Sequence, residues 1–299
     1  MPAHAARAGG AGGAGRSVGY TLAGLVIAGT LLLFVGPRSS SVASAPAAAP
    51  SPVSPSKAPA ATPSASPSPS PSPSRSGPYR VVGLGDSVPA GNACGCTSYV
   101  SLTGRRQAAH LGTTAVVSNL AQGGLTTPGL LDQLQDPSVS RQIAAADLVI
   151  VTIGANDFDT GRVASQSCDG PGLDCFRSTL TRQASQLDEV FTKVDALLAG
   201  RSATVLVTGY WNVFLDGDVA AARGTGYVRN SVALTRAENA QIAAAAERRD
   251  ATYVDVFTPF KGASGTENDT SLLAADGDHP DAAGHRRIAE ALQSALAST

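Results

Sequence analysis

Charge is scarce in this chain and almost balanced, with 22 Lys and Arg against 23 Asp and Glu among 299 residues. A net charge of −1 supplies no long-range field to attract nucleic acid or an anionic surface. A neutral or weakly charged small molecule is the expected partner. Histidine is scarcer still, at four residues, and no paired CxxC motif accompanies it. Transition-metal centres are built from such ligands, so no metal is expected. Aromatic residues amount to 5%, with a single Trp. Few of them, and few of the charges, fall before residue 78.

Residues 1–77 carry an address and a spacer instead. Arg7 and Arg16 precede a charge-free apolar run at 18–35, and Ser41-Val42-Ala43 follows as a small-residue cleavage site. Basic lead, apolar stretch and polar exit form the order of an export signal. The run is also close to the ~20 residues that span a bilayer. Residues 1–38 are therefore expected to be a signal peptide or an N-terminal anchor, the only contact with a membrane. Either leaves the remainder secreted or held on the outer face. Residues 39–77 are a Pro/Ser/Ala linker ending in PSASPSPSPSPSRS. With little but Ala and Val to bury, it is expected to stay extended and disordered, reaching about 100 Å at ~3.1 Å per residue.

The four cysteines, Cys94, Cys96, Cys168 and Cys175, suit an oxidising compartment and are expected as disulfides. Four permit three pairings. Cys168–Cys175 closes a short loop containing Gly170, Pro171 and Gly172 and is the favoured pair, which leaves Cys94–Cys96 across Gly95.

Residues 78–299 are long enough for one α/β domain with a sizeable core. Apolar, β-branched runs at 79–84, 114–120, 147–153, 204–208 and 252–257 read as strands. Helical segments are expected at 98–111, 128–134, 138–145, 175–199, 229–249 and 281–296. Leu187, Val190, Phe191, Val194 and Leu198 show the apolar spacing of one such helix. Near-continuous Val and Ile strands alternating with helices indicate a parallel sheet covered on both faces, a three-layer α/β/α sandwich. Ligands of open α/β sheets lie beyond the carboxyl ends of the strands. The residues that follow the strands are Gly85-Asp86-Ser87, Gln122-Gly123-Gly124, Gly154-Ala155-Asn156-Asp157, Gly209-Tyr210-Trp211-Asn212 and, after a loop, Asp276-Gly277-Asp278-His279-Pro280. All the reactive chemistry gathers at one edge.

Within that set Ser87 is a hydroxyl at a strand-to-helix turn, which by itself is also good N-cap material. A serine becomes a nucleophile when a base removes its proton. His279 is that base: His4 precedes the apolar run, His110 falls late in a helix, and His285 in the last helix suits a structural hydrogen bond. Asp276, three residues earlier, can reach Nδ1 of His279; Asp278 is the rival, although adjacent side chains usually diverge. The N–H groups of Ser87 and Gly124 and the Asn156 carboxamide are the candidate oxyanion donors.

The ordered blocks GDSVPAG at 85–91, NLAQGG at 119–124, GAND at 154–157 and DGDHP at 276–280 resemble the SGNH hydrolases, the GDSL esterase/lipase family. The resemblance covers essentially everything after residue 78. It implies a flavodoxin-like sandwich with five parallel strands in the order 2-1-3-4-5. It also implies Ser87 as nucleophile, His279 with Asp276 as base and orienter, and Gly124 and Asn156 as oxyanion donors. A monomeric exported esterase is the expected product, acting without a cofactor on lipid, short-chain or O-acetyl-sugar esters through an acyl-enzyme. Tyr210, Trp211 and Phe214 are the expected pocket wall. Two other classes compete. One is a metal-dependent phosphodiesterase grouping Asp86, Asp157, Asp276, Asp278 and His279; the other is a non-catalytic wall- or glycan-binding module with Tyr210 and Trp211 as a stacking platform.

Overall fold

The computed structural model describes residues 77–159, 161–162, 173–212 and 214–299. The expected signal or anchor, the linker and Cys168 lie outside them. Five strands, β1 (Tyr79–Gly85), β2 (Ala115–Asn119), β3 (Leu148–Thr152), β4 (Thr204–Thr208) and β5 (Thr252–Val254), form one sheet in the order β2-β1-β3-β4-β5. Every pairing is parallel. This is the flavodoxin-like arrangement.

The order follows from burial. All five residues of β3 are buried, as are six of the seven in β1, so these strands occupy the middle. Leu148, Val149, Ile150 and Val151 are each 0% exposed. Burying such a side chain contributes about 1.5–3 kcal/mol. The edge strand β2 alternates instead, and Val116 on it is 43% exposed.

The chain between strands is helical: α1 (Ser87–Ala90), α2 (Tyr99–His110), α3 (Thr127–Gln133), α4 (Pro137–Ala144), α5 (Arg177–Leu198), α6 (Gly217–Ala221), α7 (Thr225–Glu247), α8 (Phe257–Lys261) and α9 (Ala282–Leu296). One layer contains α2 packed on α9; the other contains α5 packed on α3, α4 and α7. In α5 the buried positions Leu187, Val190, Phe191, Val194 and Leu198 recur at three- and four-residue steps. It ends at Ala199, which adopts left-handed φ of 49° ahead of Gly200. Two boundaries differ from expectation. β5 stops at Val254 because the Asp255 carboxylate accepts the Phe257 and Thr258 N–H groups and turns the chain into α8. α7 begins at Thr225 because Gly224, at φ 93°, supplies the break that the apolar pattern does not mark. Among the described residues no helix is long and apolar enough to cross a membrane.

The sheet delivers its functional edge through Gly85. This residue pairs with Thr152 at φ 124°, and a Cβ there would run into the Thr152 carbonyl. Only glycine fits a strand end pressed so closely on its neighbour. Gly85→Ala is expected to lower the melting temperature by about 10 °C. Thermal unfolding followed by circular dichroism checks this, and an unchanged midpoint would contradict the close approach.

Candidate active site

Ser87 opens α1, a single turn set by its neighbour. Asp86 is the N-cap, and its Oδ1 accepts the Val88 N–H at 3.0 Å. At the other end the Ser87 carbonyl accepts from both Gly91 and Asn92, each at 3.1 Å. The Ser87 side chain is half-buried at the mouth of the turn. Asp86 itself is 1% exposed, and its Oδ2 accepts the Tyr210 hydroxyl. Burial pushes this carboxyl up to about 7, against the pull of the bonds from Tyr210 and Val88; Asp278 raises it further and His279 lowers it. The sequence offers Asp86 as turn material or as one ligand of the competing metal site; its place beside Ser87 is the signal for the role it takes here.

At the far end of the domain the 274–281 loop is closed on itself. The His279 carbonyl accepts from Ala274 at 2.8 Å, and Leu273 forms an antiparallel bridge with Pro280. Within it Asp276 Oδ1 accepts the Asp278 and His279 N–H groups, both at 3.0 Å, and Oδ2 lies 2.8 Å from His279 Nδ1. Partial burial raises the Asp276 carboxyl, but these bonds together hold it below the usual carboxylate range. Asp278 stands 3.9 Å from the same nitrogen, and burial keeps its carboxyl raised. Of the two carboxylates, Asp276 is the one within hydrogen-bonding distance of Nδ1.

The third block forms a one-turn 3₁₀ helix, Ala155–Asp157. Asn156 Nδ2 donates to the Leu125 carbonyl at 3.0 Å. Asp157 Oδ1 accepts the Thr127 N–H at 2.8 Å. These two bonds tie the turn to the loop after β2, where Gly124 has φ 77° and is exposed. Gln122 in that loop donates to the Gly85 carbonyl at 2.8 Å, joining it to the nucleophile's strand.

Ser87, Asn156 and His279 line one cavity of about 360 Å³, together with Asp86, Tyr210 and Phe214. Gly124 adjoins this group but is not among the lining residues. Trp211 is not among them either: its indole is 1% exposed and stacks on Phe260 at 4.6 Å, in the core. Both follow β4, yet Tyr210 lines the cavity while Trp211 packs away from it. Arg223, between α6 and α7, and Tyr227, in the first turn of α7, also line the wall and are not singled out by the sequence. Their helical context gave no sign of this.

A buried ion cluster stands behind the loop. Lys261 Nζ lies 2.6 Å from Asp216 and 3.7 Å from Asp269, all three nearly inaccessible. The Asp216 N–H donates to the Gly277 carbonyl at 2.6 Å, so the cluster bears directly on the turn that holds His279. Nothing in the sequence pairs these residues, which are far apart along the chain.

Cys94 and Cys96 form a disulfide, and Cys175 is also disulfide-bonded. His285 is fully buried and its Nδ1 accepts the Tyr99 N–H at 3.3 Å, the structural task expected of it. Asp86, Asp157, Asp276, Asp278 and His279 do not converge as a ligand set among the described residues.

The GDSL-like lipase/acylhydrolase family model matches residues 84–287, more than two thirds of the chain. An extracellular lipase from Streptomyces rimosus has a similar structure, at 25% identity and a TM-score of 0.54, covering 73% of this chain and 99% of that one. A lipase from a goat rumen metagenome shares the fold at 20% identity and a TM-score of 0.52, covering 73% and 97%. So does an acetyl-xylooligosaccharide esterase from Geobacillus stearothermophilus, at 20% identity and a TM-score of 0.51, covering 72% and 93%. No curated protein matches the chain significantly. The chain belongs to the GDSL-like lipase/acylhydrolase family and is a carboxylic ester hydrolase.

Proposed function

We propose that the chain is an exported serine esterase in which Ser87 attacks the ester carbonyl. The observation that carries this reading is the shared cavity of Ser87 and His279, with Asp276 bonded to the far nitrogen of the ring. With Nδ1–H donated to Asp276, Nε2 is the free base. It takes the Ser87 proton as Oγ adds to the carbonyl. The ring then protonates the departing alcohol, and water admitted to the acyl-enzyme repeats the sequence in reverse. The Ser87 and Gly124 N–H groups and Asn156 are the donors to the oxyanion. Asp276 holds the tautomer and stabilises the imidazolium.

The N-terminal order of basic, apolar and Pro/Ser-rich segments supports export, as does the likeness to an extracellular lipase. Residues 1–38 would direct the chain out and 39–77 would space the domain at 78–299 from the surface it leaves. The cavity of about 360 Å³ mixes Phe214 and Val88 with Asn212 and Arg223, a lining that suits a small acyl group with a polar alcohol. Lipid, short-chain and O-acetyl-sugar esters are the substrates to compare.

A fluorophosphonate probe is expected to label Ser87 and to leave Ser87→Ala unlabelled, while that variant loses about three orders of magnitude or more in kcat. Undiminished ester hydrolysis by Ser87→Ala would end the serine reading. Asp276→Asn, measured on the same ester, should lower kcat by about 10²-fold or more with little change in KM, because the ring loses its tautomer and its counter-charge.

Asp86 gives a pH signature of its own. Its folded value of about 7 lies above the unfolded carboxylate value of about 3.9. The folded chain therefore binds the extra proton, and the stability so gained is present below pH ~4 and lost as pH rises towards 7. In urea unfolding, Asp86→Asn should gain on the wild type by up to a few kcal/mol across that window. Parallel stability curves for the two proteins would show that the buried carboxyl does not hold a proton.

A further inference from the structure

Tyr210 stands just past β4, lining the cavity with its side chain while its backbone is clamped to α7. Its N–H donates to Asn239 Oδ1 at 2.8 Å, and its carbonyl accepts from Asn239 Nδ2 at 2.7 Å. Asn239 is itself buried. A carboxamide that pairs with both backbone groups of one residue leaves that residue little freedom. The ring is therefore delivered to a fixed place.

At its tip the phenolic hydroxyl donates to Asp86 Oδ2 and accepts the Ala155 N–H at 3.4 Å. Both partners open short turns, whose first N–H groups find no carbonyl within their own helix. In the Ser87 turn Asp86 is the N-cap, and its Oδ1 takes the Val88 N–H. In the turn that carries Asn156 the cap is Gly154, which has no side chain to offer, and the Ala155 N–H goes to Tyr210 instead. Burial, reinforced by Asp86 and by Glu238 of α7, keeps the hydroxyl protonated and so able to donate. One oxygen thus stands between the cap of the nucleophile's turn and the first N–H of the Asn156 turn.

We propose that Tyr210 is a positioning residue whose hydroxyl sets the spacing between Ser87 and Asn156. The inference rests on the serine-esterase reading. Those two side chains address one carbonyl: Ser87 adds to its carbon, and Asn156 donates to the oxygen that becomes charged. Their turns leave different strands, β1 and β3, and the hydroxyl couples the turns directly. Without it the buried Asp86 carboxyl loses a donor and Ala155 loses its acceptor, so each turn relaxes on its own. Donors to the oxyanion matter more in the transition state than in substrate binding, and the loss falls on kcat.

The test measures kcat and KM for p-nitrophenyl acetate with the full chain. Tyr210→Phe removes the hydroxyl and keeps both the ring and the Asn239 clamp. It is expected to lower kcat by about tenfold or more while KM stays within about threefold. A double-mutant cycle supplies a readout that a merely structural role would not move. Added to Asn156→Ala, Tyr210→Phe should cost only about threefold or less, because the turn no longer presents a donor. An unchanged kcat overturns the proposal, as does a loss carried by KM or a loss repeated in full on Asn156→Ala. If Tyr210→Phe does not fold, Asp86→Ser decides in its place. Serine can still cap Val88 but is too short to reach Tyr210, so the same fall in kcat is expected and wild-type turnover overturns the proposal. Fluorophosphonate labelling of Ser87 keeps the two readings apart. Labelled wild type with no loss in the variants overturns the role of Tyr210 alone, whereas unlabelled but active wild type overturns the serine mechanism beneath it.

Discussion

β1 lies between β2 and β3, paired in parallel with both, and the rest of the molecule is arranged around that ladder. Its register brings Gly83 level with Asn119 and Gly85 level with Thr152, so three strand ends finish at nearly the same height. Parallel strands all release their chains at one edge. The turn bearing Ser87, the loop bearing Gly124 and the 3₁₀ turn bearing Asn156 are therefore neighbours as a consequence of pairing. The hydrogen bonds from Gln122 to Gly85, Thr127 to Asp157 and Asn156 to Leu125 then knit them together. His279 arrives from a different route, through a loop that needs its own internal scaffold because no strand end holds it.

The parts that were legible in the sequence are those written in local pattern. Continuous Leu, Val and Ile at 148–151 marked a strand buried on both sides, and the spacing of Leu187, Val190, Val194 and Leu198 marked a helix face. The partnership of Asp276 with His279 was readable from a separation of three residues across a turn. Boundaries were less so. The end of β5 depends on one carboxylate, Asp255, capping the next turn, and a hydrophobic window running on to Phe257 cannot register that.

What stayed hidden was everything decided by contacts between distant segments. Trp211 follows a strand just as Tyr210 does, yet one packs on Phe260 and the other bonds Asp86. Both outcomes depend on which face of the sheet each residue takes and on what lies opposite. Glu238 sits in a polar stretch of helix that looks solvent-exposed on paper; the sheet edge and α5 enclose it. Buried polar groups of this kind are invisible to periodicity because their partners come from other elements.

The Lys261 cluster has a consequence for how this fold can change. Removing the ammonium leaves two enclosed carboxyl groups facing one another without a counter-charge, and removing Asp216 leaves the ammonium with only Asp269 at 3.7 Å; either step is severe, whereas a wholly apolar replacement of similar volume is tolerated far better. Since Asp216 also grips the Gly277 carbonyl through its backbone, disturbance there is transmitted to the imidazole's turn. The three positions are locked together by electrostatics, so drift at this spot is confined to concerted exchanges.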